Sequence, residues 1–133
     1  MPLKQHNYNK TAKYYDSMEL REPEYEREIN NFIDKIFKRY KVKQVLDFSC
    51  GTGAQSIPLR KKGYKITAVD INKNMLKIAK SKAKGLNIKF LHDNMKKSKI
   101  GKFDAVITIF NAIGHLSKKE FKGALHNINL NLK

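Results

Sequence analysis

The stretch VLDFSCGTGAQS, residues 45–56, decides the fold of this 133-residue chain. Its apolar start predicts a short buried strand, and Gly51 and Gly53 predict a tight turn directly after it. Asp47 places a carboxylate just before that turn. A carboxylate at this point disfavours a phosphate ligand, because like charges repel strongly in a partly buried site. The stretch therefore predicts a strand, a turn and a helix that together hold a cationic ligand.

Two phosphate-binding patterns fit this turn poorly. A P-loop requires a lysine followed by serine or threonine after its last glycine, and no such pair follows Gly53. The dinucleotide-binding pattern G-x-G-x-x-G is matched at Gly51 and Gly53 but has Ser56 in place of its third glycine. The sequence therefore favours neither a P-loop nor a dinucleotide site.

The rest of the chain alternates between segments typical of helices and strands. A helix is expected from about Glu24 to Tyr40, with one apolar face that packs in the core. Strands are expected at QVLDF, YKITAVDI, NIKFLHD and FDAVITIF, with helices between them and a last helix at SKKEFKGALHNINLNLK. This order predicts an α/β fold, a Rossmann-like doubly wound parallel sheet with helices on both faces.

Asn72 is expected to cap the helix after the second strand, and Ser117 with Glu120 to form a capping box at the start of the last helix. The expected apolar face of the last helix consists of Phe121, Ala124, Leu125, Ile128 and Leu132.

Acidic residues follow three of the predicted strands, although the chain has a net charge of +16. Asp47, Asp70 and Asp93 come at the carboxyl ends of the first, second and third strands, where ligands of such sheets bind. An acid after the first strand suits an ammonium or sulfonium, and one after the second accepts hydrogen bonds from ribose hydroxyls. An acid after the third can accept from an adenine amino group. Asp104 opens the fourth strand and is predicted to be structural.

Four segments in this order carry a family resemblance. VLDFSCGTG, AVDIN, FLHDNM and FDAVITIFNAIGHL together resemble the class I S-adenosylmethionine-dependent methyltransferases, from about Tyr8 to the end of the chain. The opening YNKTAKYYD is similar to the N-terminal lid of small-molecule methyltransferases. FNAIGHL resembles a segment of sugar-amine N-methyltransferases and of glycine N-methyltransferase-like enzymes. The resemblance implies S-adenosylmethionine as cofactor and a small-molecule methyl acceptor.

The resemblance also implies a role for each residue that matches a family motif. Asp47 and residues 49–51 would hold the methionine part of the cofactor, and Asp70 the ribose. Ile71 would pack on the adenine, and Asp93 would meet its amino group. The full set of implied cofactor-binding residues is Tyr8, Tyr15, Arg21, Asp47, Ser49, Cys50, Gly51, Asp70, Ile71, Asp93, Asn94, Met95, Phe110 and Asn111.

Within that set, the two tyrosines are implied to close over the cofactor, and Arg21 to pair with its carboxylate. Phe110 and Asn111 would lie near the methyl donor. His115 is the candidate catalytic base, because it follows the fourth strand on the ligand side. No metal site is expected, since a single cysteine excludes a cysteine-rich zinc site.

Two other functions stay open, one favoured by the charge and the other by the expected lack of the C-terminal strands. Only four of the 28 basic residues are arginine, the usual residue for bidentate phosphate contacts, so most of the charge is interpreted as a solvated lysine surface. A nucleic-acid partner is the less favoured interpretation, and an RNA or protein methyltransferase is the alternative function that goes with it. The tetrapeptide typical of enzymes that methylate nucleic-acid bases is not seen after the fourth strand, where residues 110–113 read FNAI. A non-catalytic cofactor-binding half or regulatory subunit is the other alternative.

Domain limits and location are also expectations at this point. A single methyltransferase domain is expected over residues 1–133, with a lid at 1–22 and a Rossmann-like core at 23–133 that is truncated after the last helix. The sheet is therefore expected to be incomplete at the C-terminus, and a homodimer or a partner chain could complete it. A cytoplasmic location without a membrane partner is expected, because no apolar signal core or membrane-length apolar run is seen.

Overall fold

The computed structural model describes residues 23–109 and 116–133. Helices and strands alternate along the described chain, as the sequence predicts. The helices are α1 (Pro23–Arg39), α2 (Ser56–Lys61), α3 (Lys73–Lys82) and α4 (Lys118–Leu130). The strands are β1 (Gln44–Phe48), β2 (Lys65–Asp70), β3 (Lys89–His92) and β4 (Ala105–Ile107).

The four strands form one parallel sheet in the order β3-β2-β1-β4. β1 lies between β2 and β4, with Val45 opposite both Ile66 and Ala105. The strand order reverses direction between β1 and β4, and ligands of doubly wound sheets bind outside the carboxyl ends of the strands at such a point. The topology therefore places the expected site at the end of β1, where Asp47 and the glycine turn lie.

Both faces of the sheet are covered, because side chains of β1 point alternately to either side. Val45 belongs to a cluster on one face that includes Ile33 of α1 and Leu59 of α2. Leu46 and Phe48 form a smaller cluster on the other face, against which Ile128 of α4 packs. Val45, Leu46 and Phe48 are all fully buried. The prediction of helices on both faces is confirmed.

The apolar face expected for α1 is only partly in the core. Ile33 and Phe37 are buried, but Phe32 is 65% exposed. The buried arc of the helix instead includes two polar residues, Asn30 and Asp34. Asn30 Nδ2 donates to the Ala54 carbonyl at 3.0 Å, and the Tyr64 hydroxyl donates to Asp34 Oδ1 at 2.6 Å. These contacts hold Asn30 and Asp34 on the buried side of the helix, and the expectation that its whole apolar face is core was wrong. The large apolar side chains left exposed on and just after the helix are Tyr25, Phe32, Ile36 and Tyr40.

The last helix begins as predicted and buries a narrower face than expected. The Ser117 side chain accepts from the Glu120 amide, and the Glu120 carboxylate accepts from the Ser117 amide, which completes a capping box. Ala124 is buried as expected, whereas Phe121 and Leu125 are 41% and 45% exposed.

Asp104 has the structural role that the sequence predicts. Its Oδ2 accepts hydrogen bonds from the backbone amides of Lys43 and Gln44, at 2.9 and 2.8 Å. Its other oxygen lies 3.0 Å from Lys133 Nζ. Asp104 thus joins the beginnings of β1 and β4 at the amino edge of the sheet, far from the expected ligand. Within the described ranges, the longest apolar helices fall short of what a membrane crossing requires.

Candidate functional site

The site is built on the end of β1, where Asp47 is enclosed by protein. The side chain of Asp47 is 1% exposed, and the Ser56 hydroxyl donates to its Oδ2 at 2.5 Å. Burial raises the pKa of Asp47 to about 7; the Ser56 hydrogen bond opposes this shift, and the charge of Asp70 adds to it. A cation next to Asp47 would stabilise its carboxylate, and the site therefore favours a cationic ligand.

The turn after β1 runs through left-handed backbone. Ser49 has φ 64° and Gly51 has φ 55°, a backbone region that residues other than glycine rarely adopt. Gly53 has φ 93°, and a Cβ at this position would lie 2.9 Å from Ile57 Cδ1. The turn therefore requires glycine at position 53 for both its conformation and its packing. The Cys50 amide donates to the Val69 carbonyl at 3.0 Å, which holds the turn against the end of β2.

Asp70 ends β2 with both carboxylate oxygens held by backbone. Oδ2 accepts from the Gly51 amide and Oδ1 accepts from the Asn72 amide, both at 2.8 Å. Burial raises the pKa of Asp70, while the Asn72 and Gly51 amides oppose that rise. Each oxygen keeps a further lone pair, so the fixed carboxylate can accept two hydroxyl groups of a ribose.

Asp93 stands at the exposed end of the same edge. Its amide donates to the Asp70 carbonyl at 3.1 Å, and its Oδ1 accepts from the Asn94 amide at 2.7 Å. Ile71 is 61% exposed beside it, a large apolar side chain open to a planar ligand. The row of acids thus runs from enclosed Asp47 to solvent-facing Asp93.

Asn94 and Met95 serve the local fold as well. Asn94 Oδ1 accepts from the Lys96 amide at 2.9 Å, and the Met95 carbonyl accepts from Asn127 Nδ2 at 2.8 Å. The Met95 side chain packs against the Leu46 and Phe48 cluster. Both residues lie next to Asp93, and their contacts stabilise the loop that carries it.

Cys50 lies inside the glycine turn, and its thiol is unreactive there. Its side chain is buried, and burial, with the nearby charges of Asp47 and Asp70, raises the pKa of the thiol. A thiol that stays protonated is a weak nucleophile. The surroundings of Cys50 are therefore those of a small buried residue and not of a nucleophile.

Two contributors were missed at the level of sequence. Ser56 stands where a dinucleotide-binding turn has its third glycine, and its hydroxyl is the partner of Asp47. That substitution was the available signal. His92 was given no role, yet its Nε2 lies 2.7 Å from the Ile71 carbonyl and joins the ends of β2 and β3. No pattern in the sequence indicated that contact.

The structure brings the central part of the predicted set together along one edge. That part comprises Asp47, Ser49, Cys50, Gly51, Asp70, Ile71, Asp93, Asn94 and Met95. The lid segment and the remaining predicted residues lie outside the described residues; these are Tyr8, Tyr15, Arg21, Phe110, Asn111 and His115.

Comparisons with known proteins agree with this geometry. Residues 45–133 match the family profile described as a methyltransferase domain. A protein of Geobacillus sp. (strain WCH70), whose name places it among the methyltransferases, is 33% identical over 115 residues, 82% of this chain and 46% of that protein. Glycine N-methyltransferase of Homo sapiens is 32% identical over 112 residues, 70% of this chain and 38% of that enzyme.

Among solved structures, an S-adenosylmethionine-dependent methyltransferase from Clostridium acetobutylicum ATCC 824 has the same fold. The TM-score is 0.79 at 24% identity, over 95% of this chain and 53% of that one. This chain spans about a third to a half of the length of the relatives it matches. The parallel sheet, its acidic carboxyl edge and the family profile together show that this chain belongs to the methyltransferase domain family, whose cofactor is S-adenosylmethionine.

Proposed function

We propose that this chain holds S-adenosylmethionine at the carboxyl ends of β1, β2 and β3, as the cofactor-binding portion of an enzyme that methylates a small molecule. One observation carries the proposal. The buried Asp47 and the fixed Asp70 lie near the carboxyl ends of the adjacent strands β1 and β2, and the Gly51 amide in the turn after β1 donates to the Asp70 carboxylate. This arrangement suits a ligand that is cationic at one end and carries a ribose next to it.

The proposed contacts follow the row of acids. Asp47 and the backbone of residues 49–51 hold the methionine part of the cofactor, and the left-handed turn lets that backbone approach closely. Asp70 accepts from the ribose hydroxyls. Ile71 packs on the adenine, and Asp93, with Asn94 and Met95 beside it, accepts from the adenine amino group.

The proposal extends to residues known here only from their sequence positions. Tyr8 and Tyr15 close over the cofactor from a lid at residues 1–22, and Arg21 pairs with the cofactor's carboxylate. Phe110 and Asn111 lie near the methyl group. The domain is a single one, with the lid followed by the core at residues 23–133.

The reaction depends more on how the cofactor and the acceptor are positioned than on a catalytic acid or base. Bound S-adenosylmethionine would supply an electrophilic methyl carbon: an acceptor lone pair would form a bond to this carbon while the S–C bond breaks, and the S–C electron pair would stay on sulfur in the departing neutral thioether. The chain's task is to hold the cofactor rigidly and to exclude water from the end of β1. His115 is the proposed group that removes the proton which the methylated acceptor then loses.

A small-molecule acceptor is supported by two observations. Glycine N-methyltransferase of Homo sapiens, which by its name methylates an amino acid, matches 70% of this chain. Residues 110–113 read FNAI where base-methylating enzymes carry a different tetrapeptide. Turnover with labelled cofactor, measured against a panel of small amino acids and amino sugars and against mixed RNA, tests this choice. Labelling of RNA alone would contradict it.

Titration calorimetry tests the cofactor site directly. Wild-type protein should bind S-adenosylmethionine and not NAD. Asp70→Asn should weaken binding roughly 10- to 100-fold, because a hydrogen bond to a charged group contributes about 1.5–3 kcal/mol. Glu28→Gln removes an exposed acid from α1 and is the matched control; its affinity should equal that of wild type. Equal binding of NAD, or unchanged affinity in Asp70→Asn, would contradict the proposed site.

Binding without turnover is a second candidate, because the chain covers 46% of one relative and 53% of a structural neighbour. Calorimetry and turnover on the same sample separate the two functions. Tight cofactor binding with no product on any acceptor class would favour a cofactor-binding subunit.

A further inference from the structure

Basic side chains collect at the amino edge of the sheet, opposite the candidate site. In this fold each helix ends near the start of the next strand, so helix ends and strand starts share one edge. The last turns of α1, α2 and α3 carry Lys38, Arg39, Arg60, Lys61, Lys80 and Lys82. Lys43 precedes β1, and Lys65 and Lys89 begin β2 and β3. The edge is therefore strongly positive, while Asp47, Asp70 and Asp93 lie at the other end of the strands.

An open cavity of about 590 Å³ lies within this edge, between the end of α1, the start of β1 and the end of α2. Apolar side chains of Phe37, Val42 and Tyr64 contribute to its lining. Its five lining lysines are Lys38, Lys41, Lys43, Lys62 and Lys65. The lining therefore combines apolar residues with five lysines.

The carboxylates at this edge neutralise only part of that charge. Asp34 Oδ2 lies 2.9 Å from Lys38 Nζ and 3.6 Å from Lys62 Nζ. Within residues 23–109 and 116–133, no carboxylate lies within ion-pair distance of the ammonium groups of Lys41, Lys43 and Lys65. Ammonium groups around one cavity repel one another, and a bound anion would relieve that repulsion.

Helix dipoles explain only some of these lysines. A cation in the last turn of a helix is stabilised by the macrodipole, which accounts for Lys38. Lys43 and Lys65 precede or begin strands, which have no comparable dipole. Lys41 has φ 55° because it ends α1 in the left-handed conformation common after helices: the Val42 amide donates to the Phe37 carbonyl at 2.9 Å and the Lys41 amide to the Lys38 carbonyl at 3.3 Å. Lys43 and Lys65 are therefore not explained by a helix end, and their ammonium groups, with that of Lys41, are available to a bound anion.

Tyr40, whose aromatic ring is exposed, directly precedes the cavity-lining residue Lys41 in the sequence. Tyr40 is 69% exposed, and the Arg39 guanidinium carbon is 5.8 Å from the centre of its ring. Proteins that bind single-stranded nucleic acid combine a positive groove along the phosphates with exposed aromatic rings on which bases stack. The amino edge carries both features.

We infer that the amino edge of the sheet binds single-stranded nucleic acid, with Lys41, Lys43 and Lys65 on successive phosphates and Tyr40 stacked on a base. This surface is separate from the proposed methyl-transfer site. β1 has five residues, so the two edges are roughly 17 Å apart at about 3.3 Å per residue. A concave surface suits a flexible strand better than a flat anionic membrane, and Phe37 and Tyr64 are buried rather than free to enter a bilayer.

Fluorescence anisotropy with labelled single-stranded RNA of about 20 nucleotides, longer than the sites of known single-strand binders, tests the inference. The triple variant Lys41→Gln, Lys43→Gln, Lys65→Gln should bind at least tenfold more weakly than wild type. Its plot of log affinity against log salt should be shallower by about 2, since each lost phosphate contact on a single strand changes that slope by about 0.7. Tyr40→Leu should weaken binding about fivefold or more.

The matched control is Lys118→Gln, Lys119→Gln, Lys122→Gln, which changes the net charge equally on the exposed start of α4. It should keep wild-type RNA affinity within about threefold, because non-contacting charges act only through the screened general field. Thermal unfolding and S-adenosylmethionine binding, measured on both triple variants, show that each is folded. They also keep this test independent of the cofactor proposal.

Three results would overturn the inference. One is no RNA binding by wild type at about 100 mM salt, where contacts of this kind should still hold. Another is an equal loss of affinity in both triple variants. The third is binding to phosphatidylserine vesicles, lost in the first triple variant, by a protein that does not bind RNA; this result would assign the surface to lipid. Equal affinity for single-stranded DNA and RNA would support a contact with phosphates and bases that does not read the 2′-hydroxyl.

Discussion

The buried acids at the carboxyl edge of this sheet and the acids at its amino edge have pKa values shifted in opposite directions. At the carboxyl edge, Asp47 and Asp70 are withdrawn from solvent, and this burial raises their pKa values although hydroxyl and backbone donors oppose the rise. Exposed Asp93 is the exception at that edge, since its pKa is lowered. At the amino edge, Asp34 and Asp104 meet lysines and several donors, and the pKa of each falls. The same parallel strands therefore present poorly solvated acids, ready for a cationic ligand, at one end and compensated acids among lysines at the other.

The pH dependence of stability should show the largest effect. Asp47 has a pKa near 7 in the folded chain and 3.8 as its ordinary value, so folded protein keeps a proton that unfolded chain releases. Its contribution is fully present below about pH 4 and is lost as pH rises to 7, by on the order of 4 kcal/mol. Asp47→Asn, measured by thermal unfolding from pH 4 to 8, should remove this decline.

The control for that series is Asp104→Asn at the amino edge, where the pKa is lowered to about 2, first by the Gln44 amide and then by Lys133 and the Lys43 amide. Its effect should appear only below about pH 4, with the opposite sign. An unchanged decline between pH 4 and 7 in Asp47→Asn would show that Asp47 is ionised in the free protein.

Alanine at two glycines compares the packing of the two edges. Gly53→Ala places a Cβ 2.9 Å from Ile57 Cδ1 at φ 93°, in the core beside the candidate site. Gly63→Ala adopts a similar φ of 105° at the amino edge but meets nothing within 4 Å. We expect losses of about 3 kcal/mol for the first and about 1 kcal/mol for the second, by denaturant unfolding. Equal losses would mean that Ile57 moves aside freely.

Tyr64→Phe tests how the amino edge keeps Asp34 ionised. The Tyr64 hydroxyl donates to Asp34 Oδ1 at 2.6 Å and is the largest cause of the lowered pKa of Asp34. Its removal should cost about 1–2 kcal/mol of unfolding free energy at neutral pH and should raise the pKa of Asp34. Carboxyl titration by NMR measures the shift. A pKa that stays low would assign the effect to Lys38 instead.

The smallest change is expected for Lys62→Gln. Its ammonium lies 3.6 Å from Asp34 Oδ2, and Lys38 remains 2.9 Å from the same oxygen. Exposed ion pairs contribute up to about 1 kcal/mol, and here the second lysine compensates. We expect a loss below about 0.5 kcal/mol in denaturant unfolding. A loss above that of Tyr64→Phe would show that the two lysines act as one network.

Sequence patterns correctly predicted the features that depend on residues close together in the sequence. The strand at QVLDF, the Asn72 cap of α3 and the Ser117 capping box all rest on residues close in sequence, and the structure has each of them. The burial of Asn30 and Asp34 was missed, because their partners lie 24 and 30 residues away. The lysine cavity was missed for the same reason, since three separate elements line it.

The residues of the candidate site also fall into those that the sequence predicted and those that depend on the folded chain. Asp47, Asp70 and Asp93 were found because each lies at the carboxyl end of a strand, and the topology brings these strand ends together. Ser56 as the hydroxyl donor to Asp47 depends on how the turn folds back, which residue spacing alone does not specify.

Cys50 gives this chain an internal reporter. It is the sole cysteine among the 133 residues and is 4% exposed within the turn that the proposed cofactor would cover. A thiol reagent can reach Cys50 only when the turn opens, so the rate of labelling measures how often it opens. Slower labelling with added ligand would report occupancy of the turn on unmodified protein, with no radioactivity, engineered dye or acceptor.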